Sequence, residues 1–215
     1  MSVSLPLAPD KDCQSCSRLV EFRNLHRANH PDWHNAPVPP FGDNSSPLLI
    51  VGMAPGLKGA NKTGRPFTGD YAGDLLYSTL KTFGLARGDY EKTTDDSLEL
   101  VNCRLTNAVK CVPPQNKLIG AEVKACQIYL RDEIDKMANL KVILALGVLA
   151  HGAVLSVFGE RKSLYKFGHQ AIHHLTNGLV LVNSYHCSRY NTNTGRLTEP
   201  MFHNVFRDIE KLTDS

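Results

Sequence analysis

Four short runs of mostly apolar residues form the clearest pattern along the chain, at positions 48–51, 105–109, 142–146 and 179–182. Apolar runs of this length are typical of strands that are buried on both faces of a sheet. Polar, Gly-rich or Pro-rich stretches follow each run. The sequence therefore predicts four buried β-strands, each ending at a polar loop.

Apolar residues recur at helical spacing between these runs and at both ends of the chain. The predicted helices cover positions 17–28, 72–83, 119–138, 148–158 and 199–212. Alternating strands and helices favour a parallel sheet covered by helices on both faces. We therefore predict the α/β class, as a three-layer αβα sandwich around a central four-stranded parallel sheet. In such a fold, ligands bind beyond the carboxyl ends of the strands.

The chain is predicted to form a single domain over residues 1–215. Within it, residues 1–47 contain the first helix and a connection at 30–47 that is rich in proline. A stretch of this composition is typical of an irregular, surface-hugging segment. Residues 48–215 are predicted to form the core. Within it, the polar stretch 81–102 has the weakest pattern of apolar positions from which to predict secondary structure.

Bulk composition narrows the function only slightly. The 215 residues are 42% hydrophobic and 21% charged, which is typical of a globular protein, and the formal charge of +3 fits nucleic-acid binding without requiring it. The most apolar stretch, 141–158, is interrupted by Gly147, His151 and Gly152, and no secretory leader pattern is found. We therefore expect a cytoplasmic protein that acts as a monomer and does not insert into a membrane.

Six cysteines in a reducing compartment favour metal binding or catalysis over disulfides. Cys13 and Cys16 form a CxxC pair, for which a redox or coincidental pairing is the alternative interpretation. Cys111 follows a predicted strand and Cys126 lies in the next predicted helix, so both can face that pair. On the residues alone, four thiolates suit zinc and an iron–sulfur cluster equally well. Cys103 and Cys187 are left over.

A glycine-rich loop follows the first predicted strand, over positions 52–56 and 59–70. Its backbone N–H groups are suited to wrapping a ligand closely. It lacks the Gly-Lys-Ser/Thr ending of a phosphate-binding loop and the GxGxxG turn of dinucleotide-binding folds. By itself, the loop is as compatible with a structural role as with a binding site.

Four motifs, in the right order along most of the chain, resemble those of the uracil-DNA glycosylase superfamily. The segment 52–73, with the run NKTGRPFTGDYAG, resembles its first signature in the fifth, type-b, family, and WHNAPVPPFGD at 33–43 is similar to the segment that precedes it. NAVKCVPPQNK at 107–117 and HCSRYNTNTGRLT at 186–198 resemble the middle and last signatures. Met53, Leu118 and Cys187 depart from the usual leucine, proline and proline.

This resemblance implies a DNA-repair enzyme. It implies a monofunctional glycosylase that flips uracil, and other deaminated bases, out of DNA and hydrolyses the N-glycosidic bond to leave an abasic site. It also implies a structural [4Fe–4S] cluster bound by Cys13, Cys16, Cys111 and Cys126, which decides against zinc. Two other functions remain as alternatives: a non-catalytic iron–sulfur DNA-binding module of the same fold, and a nucleotide-hydrolysing or redox α/β enzyme.

The matched motifs assign a role to each of four side chains. Phe67 offers a face on which the flipped base stacks, and Asn107 offers an amide to the O4 and N3–H edge of uracil. His186 is placed to donate to O2, where negative charge develops, and Asp70 to position or activate water near C1′. Core packing for Phe67, a turn or cap for Asn107 and a helix N-cap for Asp70 are the structural alternatives.

Further residues of the same motifs are predicted to contact substrate or DNA. The expected substrate-binding residues, in addition to Phe67, Asn107 and His186, are Gly52, Ala54, Pro55 and Gly56. The expected DNA-binding residues, which hold the gap left by the base or contact phosphates, are Lys62, Arg65, Ser188, Arg189, Tyr190, Asn191 and Arg196. An ordinary exposed polar surface is the alternative for this second group.

Overall fold

A computed structural model describes residues 8–213, so the first seven and last two residues of the predicted domain lie outside it. The strands are β1 Leu48–Gly52, β2 Ala86–Arg87, β3 Glu99–Leu100, β4 Cys103–Asn107, β5 Val142–Leu146, β6 Ile172–His174 and β7 Val180–Ser184. The helices are α1 Ser17–Asn29, α2 Ala60–Thr63, α3 Tyr71–Thr82, α4 Gly120–Asp135, α5 Val148–Phe158, α6 Arg189–Asn193 and α7 Glu199–Thr213.

The main sheet has the strand order β4-β1-β5-β7-β6. Its first four strands are mutually parallel and are the four that the apolar runs predict, so the α/β class is confirmed. A fifth strand, β6, was not predicted and pairs antiparallel with β7 at the edge. Two of its three residues are exposed, so it carries no apolar run.

Successive residues of the central strands face opposite layers, as the pleat of a strand requires. Leu48 and Ile50 of β1 pack in a core with side chains of α3 and α7. Leu49 and Val51 of the same strand pack in a second core with side chains of α4 and α5. Because both faces of β1 are covered, all five of its residues are buried.

The proline-rich connection follows the edge strand of the sheet, as an irregular segment without helix. Phe41 forms an isolated bridge with Leu105, and the Val38 N–H donates to the Lys110 carbonyl at 2.7 Å. The weakly patterned stretch 81–102 contains the small antiparallel pair β2 and β3. No helix among residues 8–213 is long and apolar enough to cross a membrane.

Candidate active site and cysteine cavity

A cavity of about 500 Å³ lies beyond the carboxyl ends of β1, β4, β5 and β7. That is where a parallel sheet collects the loops that follow its strands. The cavity brings together most of the residues predicted from the motifs. They are Ala54, Pro55, Gly56, Phe67, Asp70, Asn107, His186, Ser188, Arg189, Asn191 and Arg196.

One wall of the cavity depends on Gly52 being a glycine. Gly52 and Asn107 are partners in the β1–β4 register. A Cβ at Gly52 would lie 2.5 Å from both the Asn107 Oδ1 and the Phe67 Cζ, so only glycine leaves room for the two side chains. Asn107 is buried at the end of β4, and Phe67 has a left-handed backbone with φ of +55°. This strained conformation turns the Phe67 ring toward the cavity.

Asp70 combines a structural role with a place in the cavity. As N-cap of α3, its Oδ1 accepts from the Ala72 N–H at 3.1 Å and the Gly73 N–H at 3.4 Å. Its Oδ2 packs against the glycine-rich loop. A Cβ at Gly59 would lie 2.5 Å from this Oδ2. Burial raises the pKa of Asp70, although the two N–H groups act in the opposite direction.

His186 lies in the loop that follows β7, with its ring centroid 6.4 Å from that of Phe67. Burial lowers the pKa of His186, so its imidazole is neutral near pH 7. The Asn191 amide donates to the His186 carbonyl at 2.8 Å and fixes this part of the loop. Cys187, which replaces the expected proline, is fully buried in the core on the α3–α7 side.

Two arginines lie over aromatic rings at the rim of the cavity. The Arg189 guanidinium is 5.2 Å from the centroid of Tyr71, and the Arg196 guanidinium is 4.7 Å from that of Tyr185. Tyr190, on α6, is 71% exposed. The two arginines line the cavity, whereas Tyr190 does not, and contacts of all three residues with DNA remain a prediction.

Ser188 and Asn191 already have partners inside the chain. The Ser188 hydroxyl is the N-cap of α6 and accepts from the Asn191 N–H at 3.4 Å, while the Asn191 side chain holds the His186 carbonyl. Both residues line the cavity. Each therefore supports the shape of the loop, and a DNA contact from either residue remains a prediction.

The prediction that Arg65 contacts a phosphate is wrong. Arg65 is 6% exposed, and both of its terminal nitrogens pair with Asp96, at 2.7 Å each. A buried guanidinium with a bidentate carboxylate partner is not available to DNA. Arg65 lies in the predicted ligand-binding loop, and no local sequence pattern indicates that its partner is a carboxylate 31 residues away. Lys62 is exposed on α2, outside the cavity and 5.8 Å from the Trp33 centroid.

Several cavity residues were not predicted as site residues, although five of them lie within the matched motifs. They are Met53, Ala60, Tyr71, Ala72, Asn116, Leu146, Gly147, Val148, Leu149, Phe167 and Tyr185. Tyr71 lies within the first matched motif, whereas the only signal for Tyr185 was that it adjoins the predicted His186. Phe167 lies in a loop between α5 and β6, and nothing in the sequence places that loop against the other residues of the cavity.

A second, smaller cavity collects the four predicted ligand cysteines. Cys13 and Cys16 lie before and at the start of α1, Cys111 follows β4, and Cys126 is in α4. The Lys110 N–H points at the Cys126 Sγ from 3.4 Å. Among residues 8–213, no group of three or more His, Cys, Asp or Glu side chains is arranged to hold a metal ion.

Arg23 is the unusual residue of this cysteine cavity. It is 2% exposed, and its Nη1 lies 3.8 Å from the Cys111 Sγ, while its Nη2 donates to the Cys13 carbonyl at 2.8 Å. Its Nε is buried without a hydrogen-bond partner among the described residues. A buried guanidinium with an unused donor favours a negatively charged group beside it.

Comparison with known proteins agrees with this geometry. Residues 39–210 match the family described as the Uracil DNA glycosylase superfamily. Over 206 residues, the chain is 43% identical to the Type-5 uracil-DNA glycosylase of Thermus thermophilus, with 93% of each chain covered. The chain belongs to the uracil-DNA glycosylase superfamily.

Two further relatives refine this assignment. The Type-5 uracil-DNA glycosylase of Pyrobaculum aerophilum is 37% identical over 91% of this chain and 87% of its own length. The Type-4 uracil-DNA glycosylase of the same organism is 33% identical over only 70% of this chain and 68% of its own. The chain is therefore grouped with the type-5 members of the superfamily.

Proposed function

We propose that this protein is a monofunctional uracil-DNA glycosylase that removes uracil, and other deaminated bases, from DNA and leaves an abasic site. The observation that carries the proposal is that Phe67, Asp70, Asn107 and His186 line one cavity in a chain of this family. We further propose that it acts as a monomer in the cytoplasm. The relatives' names favour an enzyme over a non-catalytic binding module.

In the proposed reaction, the flipped base stacks on Phe67 while the Asn107 amide contacts its O4 and N3–H edge. The bond between C1′ and the base breaks, and its electron pair leaves with the base. The neutral His186 imidazole donates to O2, where the negative charge collects. The Asp70 carboxylate stabilises the positive charge on the sugar and orients a water, which bonds to C1′ and passes its proton to that carboxylate. The uracil anion takes up a proton from solvent.

A panel of oligonucleotides, each holding one deaminated base, tests this function directly. After incubation with the purified protein, alkali cleaves every strand that contains an abasic site. We expect cleavage of the uracil strand and none of an undamaged strand. Retained DNA binding without cleavage would support the non-catalytic module instead, and turnover of free nucleotides alone would support the nucleotide-hydrolysing enzyme.

The role of Asp70 can be separated from its role as a helix cap. Asn caps a helix as well as Asp does, so Asp70→Asn should keep the melting temperature and still lose single-turnover excision rate. For the wild type, the rate should rise with pH through a midpoint above the usual carboxyl pKa, because burial raises the pKa of Asp70. That rise should be absent in Asp70→Asn.

Asp70→Ala provides the quantitative limit for this role. A variant that keeps more than a tenth of the wild-type rate changes the barrier by less than about 1.4 kcal/mol. In that case Asp70 is only a cap, and loss of the cap should lower stability by about 1 kcal/mol.

Asn107→Ala is the matched comparison. It should slow the excision of uracil more than the excision of a deaminated purine, whereas Asp70→Ala should slow the excision of all substrates alike.

We also propose that Cys13, Cys16, Cys111 and Cys126 bind a structural [4Fe–4S] cluster. All four line one cavity, and four thiolates are the usual ligand set of such a cluster. The unused Arg23 Nε and the Lys110 N–H supply the donors that a negatively charged cluster attracts. When bound, the cluster would cross-link α1 to the β4–α4 connection.

Protein purified without chelators should be brown and contain iron and sulfide at about four of each per chain. Cys111→Ala should lower the iron content and the melting temperature. Cys103→Ala is the matched control, because Cys103 is buried in the core on the α3–α7 side and its Sγ donates to the Leu85 carbonyl. Zinc in place of iron, or loss of iron on changing Cys103, would contradict the assignment.

A further inference from the structure

A groove between α4 and α5 opens directly beside the active-site cavity. Val148, Leu149 and Phe167 line both the cavity and the groove. Val148 and Leu149 are 58% and 55% exposed, although large aliphatic side chains are usually buried. A ligand that extends past the entrance of the cavity on this side therefore enters the groove.

The groove is lined by three positive side chains and by no acidic one. Lys124, Lys162 and Lys166 are exposed, and none of them forms a salt bridge with a described residue. The Lys162 ammonium lies over α5, since a Cβ at Gly152 would be 3.5 Å from its Nζ. Exposed lysines along an extended groove favour a polyanionic ligand.

Two aromatic side chains complete the lining. Tyr165 and Phe167 both face the groove, in the loop between α5 and β6. The His151 Nε2 lies 2.9 Å from the Tyr165 carbonyl, and the Phe167 ring packs edge-on against the His151 ring at 5.6 Å. His151 is buried in α5, so it fixes the aromatic loop to the sandwich. Proteins that bind unpaired nucleotides commonly combine aromatic side chains, on which bases stack, with positively charged side chains that contact the phosphates.

We propose that this groove binds a single-stranded segment of DNA that flanks the flipped nucleotide. The bases would stack on the Tyr165–Phe167 wall, and the phosphates would pair with the three lysines. The proposal rests on the proposed glycosylase function, because that function places DNA at the entrance of the cavity beside the groove. Continuity with the base cavity favours DNA over a protein segment, although an apolar, acidic peptide would meet the same side chains.

Fluorescence anisotropy with a labelled oligothymidylate of about 20 nucleotides tests the groove. This probe contains no uracil, so the result does not depend on excision. For a single strand, the logarithm of the binding constant falls as the logarithm of the salt concentration rises, and each phosphate contact adds about 0.7 to the steepness of that fall. The triple variant Lys124→Gln, Lys162→Gln, Lys166→Gln should therefore flatten the slope by about 2 and weaken binding at least tenfold.

The matched control changes three lysines on the opposite side of the sheet. Lys81, Lys92 and Lys211 each pair with an acidic residue on or beside α3 and α7. Their triple change to Gln alters the net charge equally but should leave the slope nearly unchanged. Equal weakening in both variants would overturn the proposal, because it would reflect net charge alone. Unchanged binding in the groove variant would also overturn it and favour a protein segment as the occupant.

A kinetic readout connects the groove to catalysis. With uracil in a single strand of about 20 nucleotides, the groove variant should raise KM and leave kcat unchanged, since none of the three lysines lines the base cavity. An effect on kcat alone would contradict the assignment. If the wild type excises no uracil but binds oligothymidylate through these lysines, the glycosylase function fails while the groove assignment stands.

Discussion

Replacing His186 with Ala should slow single-turnover uracil excision by about 10²- to 10³-fold, equivalent to about 2.7–4 kcal/mol. The imidazole lies inside the cavity, accepts and donates no hydrogen bond among the described residues, and is held in place through its backbone by Asn191. Its donor is therefore free for the base. Because burial lowers the pKa of His186, the ring is neutral near pH 7 and donates through its single N–H.

His174→Ala is the matched control, since His174 is exposed on the edge strand β6. It should leave the excision rate unchanged. A stability measurement checks the burial of His186 separately. Its folded pKa lies below its unfolded value, so protonation favours unfolding, and the stability of the wild type relative to His186→Ala should fall as the pH is lowered below about 6.5. A loss of less than about tenfold in rate would remove His186 from the proposed mechanism.

The order of the secondary structure was predictable because most of its signal is local. The runs that form β1 and β5 are apolar on both faces, and helices cover both faces in the structure. The edge strand β6 was not predictable, because a three-residue strand with exposed side chains carries no periodicity. The pair β2 and β3 is shorter still, with two residues in each strand.

The site was predictable as far as its residues are chemically distinctive and lie in recognisable motifs. Phe67 and Asp70 adjoin glycines whose necessity becomes clear only in three dimensions, where a Cβ at Gly52 or Gly59 would overlap them. Arg65 lies in the same motif, yet its role is decided by Asp96, which is distant in sequence and lies in a stretch of weak pattern. Phe167 reaches the cavity only through tertiary packing, which no local pattern encodes.

Replacing Glu133 with Gln should lower the free energy of unfolding by about 3–5 kcal/mol, because it removes one partner of a buried ion pair and leaves others unpaired. The Glu133 carboxylate is fully buried. It accepts from the Arg104 Nε at 2.8 Å, the Thr106 hydroxyl at 2.8 Å and the Lys110 Nζ at 2.9 Å. For a chain of this length, the melting temperature should fall by roughly 6–20 °C.

The exposed pair of Glu99 and Arg87 provides the matched control, and Glu99→Gln should change stability by less than about 1 kcal/mol. Thr106 precedes Asn107 in β4, and Lys110 precedes Cys111 and donates its N–H to the Cys126 Sγ, so the buried carboxylate connects β4 to the cysteine cavity. Glu133→Gln should therefore also lower the iron content of the purified protein. If Glu133→Gln has the same melting temperature as Glu99→Gln, the buried charges of Arg104 and Lys110 are compensated without Glu133. A variant that loses stability but keeps its full iron content would show that the two sites are held independently.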